Sequence, residues 1–355
     1  IPLILRLHNI SIGNILAYGP NSTAISMKLS HSIQEKNPLS LLTFLKEDME
    51  HNCATLIICD REIDIINLMK FQTTYGGILD DVFNIKTKRK VNIVIDDKVT
   101  EIKFGNVYDN NKYNNVQDVS LYLSHSIKRI KLLTTIPNQS TQQLREYVNL
   151  FEIYPECCSN LKILNEAITI MESNYNQDYY KLENSILNYA KFQMSYTNIM
   201  SEIIRLFNVH NNLLLTIKYL ILYSHVNDGV DQNSLMTLCN VVNTKYLEFN
   251  SIISSAISNN LIKIRNKNII DLIKIPINYF LPSGKSYKSL ICNAGSRFSE
   301  LIRHTHGQII FIVIGGITID EISELSKIKS NVMIISDQII TSDRYINHLI
   351  SKHYE

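Results

Sequence analysis

A chain of 355 residues is long enough for two domains and a substantial core. Its 35 basic and 33 acidic side chains give a net charge of +2, which argues against a protein built mainly to hold nucleic acid. The six cysteines match neither a disulfide framework nor a zinc site, so we expect reduced thiols in a cytosolic protein. No signal peptide is visible, and the most apolar window, residues 213–223, is too short to cross a bilayer.

Residues 1–75 predict the beginning of an α/β domain. Apolar residues recur four apart within residues 23–36, which is the spacing of an amphipathic helix. Residues 41–49 predict a second helix. The continuous apolar run of residues 54–59 is typical of a strand that is buried on both faces of a parallel sheet.

Residues 76–300 predict a mostly helical segment. Two short runs at 91–95 and 99–104 flank a polar turn and predict a β-hairpin. Two apolar stripes at helical spacing then predict a projecting helical hairpin over about residues 138–176, turning at residues 155–159, with both stripes facing the core. The stripes consist of Leu144, Tyr147 or Val148, and Phe151, and then of Leu161, Leu164, Ile168, Met171 and Tyr175. Further helices are predicted at residues 187–207, 213–223 and 235–258.

The end of the chain returns to the pattern of its beginning. Residues 309–314 form a second continuous apolar run that leads into a Gly-Gly turn. Thr318 is placed to cap a helix that carries Glu321, and residues 332–335 predict another strand. Two buried strands of one type indicate a single parallel-sheet domain of the α/β class, interrupted by a large and mostly helical insertion. The predicted division is residues 1–75 and 301–355 for the α/β domain and 76–300 for the insertion domain.

Asp60 and Asp64 follow the first buried strand, at the position where α/β proteins often place catalytic groups. A carboxylate pair could perform acid/base or metal chemistry, but no third ligand or helical histidine pair accompanies this one. We therefore favour a structural role, in which Arg61 and an acid fix the joint between the sheet and the insertion.

Three other patterns have ordinary explanations. The Gly-Lys-Ser at 284–286 lacks the earlier glycine that a phosphate-binding loop requires. His304 and His306 form only a weak metal motif, because solvated histidines are the usual case. The basic run at 86–90 is best explained as a solvated face that is too short to anchor the chain on lipid.

Both strand ends resemble the signatures of the SM family, the Sec/Munc-type chaperones of SNARE assembly. In that family a buried strand leads into Asp-Arg and a second Asp, then Thr-Tyr-Glu-Gly, and a late strand leads into Gly-Gly-Val-Thr with a following Glu. The corresponding residues are Asp60, Arg61, Asp64, Thr74, Tyr75, Gly77, Gly315, Gly316, Thr318 and Glu321. Gly76 replaces the glutamate of the family pattern. The turn at residues 18–20 and the closing segment 335–349 are similar to the class C vacuolar protein sorting branch.

The resemblance implies a non-enzymatic protein without cofactor or metal, which holds SNARE helices in register on its helical hairpin. Candidate SNARE-binding residues are those predicted on the solvent side of the hairpin, namely Gln142, Arg145, Asn149, Lys162, Asn165 and Glu166. It also implies an α-solenoid partner within the HOPS and CORVET tethering complexes. The expected location is the cytoplasm, with peripheral attachment to endosomal and vacuolar membranes through partners.

Two alternatives remain open at this point. The chain could be an SM protein of the Golgi or plasma-membrane step, or a nucleotide- or metal-dependent hydrolase. Family members carry an N-terminal domain ahead of the matched region. We therefore expect this sequence to be either a fragment or a form that has lost that domain.

Overall fold

The fold is described from a computed structural model of the chain. The structure describes residues 11–35, 53–85, 90–95, 98–136, 140–174, 177–192, 196–227, 229–265 and 296–351. The helix predicted at 41–49, the Gly-Lys-Ser at 284–286 and most of the basic run at 86–90 lie outside the described residues.

Strands and helices alternate only at the two ends of the chain, and helices dominate between them. The strands are β1 (Ser11–Tyr18), β2 (Cys53–Asp60), β3 (Lys90–Ile95), β4 (Lys98–Lys103), β5 (Val230–Asp231), β6 (Ile264–Arg265), β7 (Gln308–Ile314) and β8 (Val332–Ser336). The helices are α1 (Pro20–Glu35), α2 (Ile65–Met69), α3 (Tyr75–Phe83), α4 (Asn106–Asn111), α5 (Val116–Thr135), α6 (Thr141–Asn174), α7 (Gln177–Phe192), α8 (Tyr196–His210), α9 (Leu213–Val226), α10 (Gln232–Asn243), α11 (Phe249–Ser258), α12 (Arg297–His304), α13 (Ile319–Ile328) and α14 (Ser342–Ser351).

A four-stranded sheet joins the two ends of the chain, with strand order β1-β2-β7-β8 and every pair parallel. Ile57 of β2 lies opposite Phe311 of β7, and both side chains are fully buried. Leu29 of α1 packs with alternate residues of β2 and β7 in one apolar cluster. The prediction that two distant apolar strands form one interrupted parallel sheet is therefore confirmed.

The chain forms two compact units whose bounds differ from the predicted domains. The first unit contains the described residues of Ile1–Lys70, Leu182–Ile317 and Glu324–Glu355, and the second contains those of Phe71–Lys181 and Thr318–Ser323. The predicted insertion reached residue 300, but the helices after residue 181 belong to the unit that contains the sheet. The physical reason is burial: α9 packs against α2 and α14 of that unit and is buried along most of its length.

The second unit is built around the antiparallel helices α5 and α6. The predicted β-hairpin is present as β3 and β4. Residues from α3, α4, α5 and α6 share one apolar core, in which Tyr75, Leu123 and Leu164 are fully buried. Arg129 of α5 binds both carboxylate oxygens of Glu146 of α6, at 2.8 and 2.9 Å. This ion pair shows which turns of the two helices lie side by side.

The predicted turn at residues 155–159 is wrong, because α6 is one helix of 34 residues with Pro155 inside it. Proline removes one helical hydrogen bond at a cost of about 3 kcal/mol, but the following turns are held by burial of Cys157 and Leu164 in the core. Asn160 also donates a side-chain hydrogen bond to the carbonyl of Glu156 at 2.7 Å. The helical hairpin therefore consists of α5, which ends at Thr135, and α6, which begins at Thr141.

Among the described residues, Cys59, Cys157, Cys158 and Cys239 are unpaired thiols. None of the helices in the described ranges is both long enough and apolar enough to cross a membrane.

His225 near the end of α9 predicts a pH dependence of stability. Its Nε2 atom lies 3.0 Å from the carbonyl oxygen of Leu261, and burial, followed by the nearby Lys263 charge, lowers its pKa to about 3. A histidine with an unfolded pKa of about 6.5 takes up a proton on unfolding below that pH, so stability is lost as the pH falls from about 6.5 towards 3. We expect the free energy of unfolding at pH 5 to be about 2 kcal/mol lower than at pH 7 on account of this group.

Urea unfolding at the two pH values measures this difference. His225→Gln should reduce the pH dependence, whereas replacing the exposed His348 by glutamine should leave it unchanged. An identical pH dependence in both variants would show that His225 is not its source.

Candidate functional site

Asp60, at the carboxyl end of β2, caps the first helix of the sheet. Its Oδ1 atom accepts a hydrogen bond from the Ser22 amide at 2.8 Å, and its Oδ2 atom accepts one from the Asn21 amide at 2.9 Å. The Ser22 hydroxyl also donates to Oδ1. These amides belong to the first turn of α1, where backbone N–H groups have no helical partner. Both oxygens of this carboxylate therefore bind the backbone of α1.

Arg61 is completely buried and joins the ends of two strands. Its guanidinium donates to the carbonyl of Gly316 at 3.3 Å and to the carbonyl of Asp64, and it lies 4.9 Å from the centre of the Phe298 ring. The Asp64 carboxylate accepts hydrogen bonds from the Ser296 hydroxyl at 2.8 Å and the Phe298 amide at 3.3 Å. Arg61 and Asp64 therefore hold the chain after β2 against α12 and the turn after β7.

The Gly315-Gly316 turn after β7 is an anion-binding arrangement of backbone N–H groups that is already occupied. Both glycines have φ near +100°, in the left-handed region that favours glycine. Their amides donate to the Asp337 carboxylate, at 3.1 Å from Gly315 and 2.9 Å from Gly316. A neighbouring carboxylate thus fills the position that a phosphate occupies in nucleotide-binding turns.

These contacts favour the structural interpretation of the acidic pair over the catalytic one. The oxygens of Asp60 and Asp64 accept hydrogen bonds from donors of this chain, so each acid has a structural task. The described residues, among them His304 and His306, contain no group of three or more His, Cys, Asp or Glu side chains able to hold a metal.

The second half of the family signature lies in the other unit, around Asp320. The Asp320 carboxylate accepts hydrogen bonds from the Thr74 amide at 3.0 Å and from the Thr73 hydroxyl at 2.8 Å, and also from the Thr73 amide and the Thr74 hydroxyl. The Thr74 oxygen in turn caps α3 by accepting from the Gly77 amide at 3.1 Å. A Cβ on Gly77 would lie 2.7 Å from an Asp320 oxygen, which explains why glycine stands there.

The remaining signature residues are also structural. Thr318 and Glu321 form a capping box at the start of α13, with reciprocal hydrogen bonds of 3.1 and 2.9 Å. The buried Tyr75 hydroxyl donates to Asn160 of α6 at 2.6 Å. Gly76 faces the backbone of Lys112, whose carbonyl would lie 2.8 Å from an added Cβ. The family pattern has glutamate at position 76, but the close approach of the Lys112 backbone requires glycine there.

Among the described residues, the first half of α6 carries a row of exposed apolar side chains. Leu144, Val148 and Phe151 have 50%, 55% and 57% of their surface exposed. The prediction that this stripe faces the core is wrong, because the first fully buried side chain of α6 is Cys157. Before Cys157, the half-buried residues of α6 lie on the opposite side of the helix, which carries Glu146 and Leu150. We call Leu144, Val148 and Phe151 the apolar ridge.

The six predicted SNARE-binding residues all lie on α6, but they do not share one face. Gln142, Arg145, Asn149, Lys162 and Asn165 are exposed, and Glu166 is half-buried. At about 3.6 residues per turn, Lys162 lies five turns after Leu144 and Glu166 about six, so both continue the line of the apolar ridge. Asn165 lies beside that line, whereas the three earlier residues point roughly 100° or more away from it.

Solved structures of three proteins share this fold. The chain matches the Unc18–syntaxin 1 complex from Monosiga brevicollis with a TM-score of 0.68 and 14% identity, over 99% of this chain and 69% of that one. It matches the SM protein Vps45 in complex with the Qa SNARE Tlg2 (1–310) with a TM-score of 0.57 and 13% identity, over 88% and 63%. Sly1p in complex with an N-terminal peptide of Sed5p matches with a TM-score of 0.56 and 14% identity, over 99% and 66%.

These likenesses concern the fold, and the chain spans only 63% to 69% of the lengths of the three proteins. No curated protein matches the chain in sequence. A family model described as the Sec1 family matches residues 2–348, nearly the whole sequence. The resemblance recognised in the two strand-end signatures is therefore confirmed, and the chain belongs to the Sec1 family.

Proposed function

We propose that this protein is a SNARE-binding chaperone that aligns partner helices on the apolar ridge of α6. The observation that carries the proposal is the exposure of Leu144, Val148 and Phe151 on one face of a long helix. Their spacing of four and then three residues is the spacing at which an amphipathic partner helix packs. The matched structures of Vps45 and Unc18 are complexes with Tlg2 and syntaxin 1, which supports a partner of this kind.

The proposed mechanism is a reduction of ordering entropy, without any bond being made or broken. SNARE segments that are disordered alone must lose conformational freedom before they pair. A helix that stays folded through burial of its second half in the core offers a fixed surface on which such segments can be aligned. Lys162, Glu166 and Asn165 would extend this surface with polar contacts.

Replacing the ridge by serine tests the proposal. We expect Leu144→Ser/Val148→Ser/Phe151→Ser to weaken binding of SNARE-motif helices by about 100-fold, because exposed anchor side chains contribute most of the affinity of helix docking. Fluorescence anisotropy with labelled endosomal SNARE motifs measures the dissociation constants. The fold should persist, since all three side chains are exposed.

The matched control is Val99→Ser/Met236→Ser/Leu247→Ser, which removes apolar side chains elsewhere that are at least as exposed. The control should bind as the parent protein does. Equal binding by the ridge variant and the parent would refute docking on α6.

We further propose that the protein is of the class C vacuolar protein sorting type, the SNARE-binding subunit of HOPS and CORVET. Similarity of the turn at 18–20 and of the closing segment to that branch supports this assignment. This assignment implies that the protein is cytoplasmic and is held on endosomal and vacuolar membranes by its partners, which include a large α-solenoid subunit. A pull-down with that subunit and with endosomal and Golgi SNAREs tests the branch. Binding of Golgi SNAREs alone would assign the protein to another trafficking step.

A further inference from the structure

The end of the hairpin at which α5 ends and α6 begins carries three exposed cations. The Arg129–Glu146 ion pair brings the last turns of α5 level with the first turns of α6. Lys128, Lys131 and Arg145 therefore lie within about 10 Å of the end of the hairpin, at 1.5 Å per residue. All three are exposed, and Leu132, which shares a face of α5 with Lys128 and Lys131, has 52% of its surface exposed. We call Lys128, Lys131, Leu132 and Arg145 the hairpin end.

Cationic side chains outnumber acidic ones in residues 121–148, which surround the hairpin end in the sequence. Residues 121–148 contain four cationic side chains and one acidic side chain, Glu146. Both oxygens of that acid are bound by Arg129. The segment therefore supplies no acidic residue to offset Lys128, Lys131 and Arg145, although the whole chain is nearly neutral.

We propose that the hairpin end binds the surface of membranes that contain anionic phospholipid. Two lysines beside an exposed leucine fit such a surface, because the lysines attract the headgroups while the apolar side chain enters the interface. A partner helix is a poorer fit, since it needs an apolar stripe that continues along the hairpin, as the ridge does. On this face of α5, Leu132 stands beside two lysines, and the site requires no SNARE and does not depend on the proposed chaperone function.

Flotation of the full chain with vesicles tests the proposal. Vesicles of phosphatidylserine and phosphatidylcholine should carry the protein upward, and vesicles of phosphatidylcholine alone should not. Each cation near an anionic surface contributes roughly fivefold to binding, so Lys128→Gln/Lys131→Gln should lower the partition coefficient by about 30-fold. Raising the salt concentration to about 1 M, where the screening length is about 3 Å, should remove most of the binding by the parent protein.

The matched control is Lys103→Gln/Lys327→Gln, which removes two exposed lysines at other places on the chain. The control should float as the parent does, and so should the variant Val148→Ser/Phe151→Ser, which separates this site from the ridge. Equal flotation with neutral vesicles, no flotation at all, or equal losses in the lysine variant and its control would each overturn the proposal. Loss of SNARE-helix binding with unchanged flotation in Lys128→Gln/Lys131→Gln would assign the cations to a protein partner instead.

Discussion

Replacing Arg61 by alanine is expected to lower the free energy of unfolding by about 4 kcal/mol. The side chain is wholly buried, so its removal leaves a cavity beside the Phe298 ring. It also leaves the carbonyls of Gly316 and Asp64 without the guanidinium that binds them. Because Arg61 joins the ends of β2 and β7, the loss should appear in the cooperative unfolding of the sheet.

Arg61→Lys provides a graded comparison for urea unfolding followed by circular dichroism. Lysine keeps the positive charge but cannot reach both carbonyls in a planar fork or stack on the phenylalanine ring in the same way. We expect its stability to lie between those of the parent and Arg61→Ala. A loss below about 1 kcal/mol for Arg61→Ala would mean that the buried guanidinium does not join the two strands.

Replacing Asp320 by alanine is expected to cost about 3 kcal/mol and to act on the second unit. One carboxylate accepts four hydrogen bonds from Thr73 and Thr74, and hydrogen bonds to a charged group contribute about 1.5–3 kcal/mol each without being additive. Thr74 is buried, so its amide and hydroxyl would lose their partner out of reach of bulk water.

Hydrogen exchange of the Thr73 and Thr74 amides measures this effect directly. Both amides should lose protection in Asp320→Ala, while the amides in the middle of β2 should keep it. Asp320→Asn should be intermediate, because its amide nitrogen cannot accept the two bonds that one carboxylate oxygen accepts. Unchanged protection in the alanine variant would contradict the assigned contacts.

The buried strands of the sheet were predictable, whereas its first strand was not. β2 and β7 are covered on both faces, so they appear in the sequence as continuous apolar runs. β1 lies at the edge, and its register shifts between Ile12 and Asn14, where Gly13 interrupts the alternation. A strand with such an irregularity gives neither of the patterns by which strands are recognised.

Periodicity correctly predicted helix on both sides of Pro155, but it did not predict which face of this helix is buried. The spacing of Leu144, Val148 and Phe151 shows that they share a face, and only the packing of α6 shows that this face is exposed. The helix continues through Pro155 because core residues from other helices pack against its second half. These tertiary contacts cannot be predicted from the periodicity of one segment.

The acidic residues that follow β2 could be found from the sequence, but the groups to which they and the turn after β7 are hydrogen-bonded could not. Asp60, Arg61 and Asp64 stand together after an apolar run. Ser296 and Asp337 lie far along the chain, and nothing in the sequence shows which group each of them binds. Long-range contacts of this kind become visible only when the strands are placed side by side.

The topology of the sheet also limits how much of the chain can fold during its synthesis on the ribosome. Arg61 and the carbonyl it binds are 255 positions apart, so β2 emerges long before the neighbour that will cover its edge. Until β7 is synthesised, an apolar strand has an unpaired edge of the kind that recruits other nascent chains. Such a high-contact-order topology is expected to fold slowly and to be completed only after β7 has been synthesised.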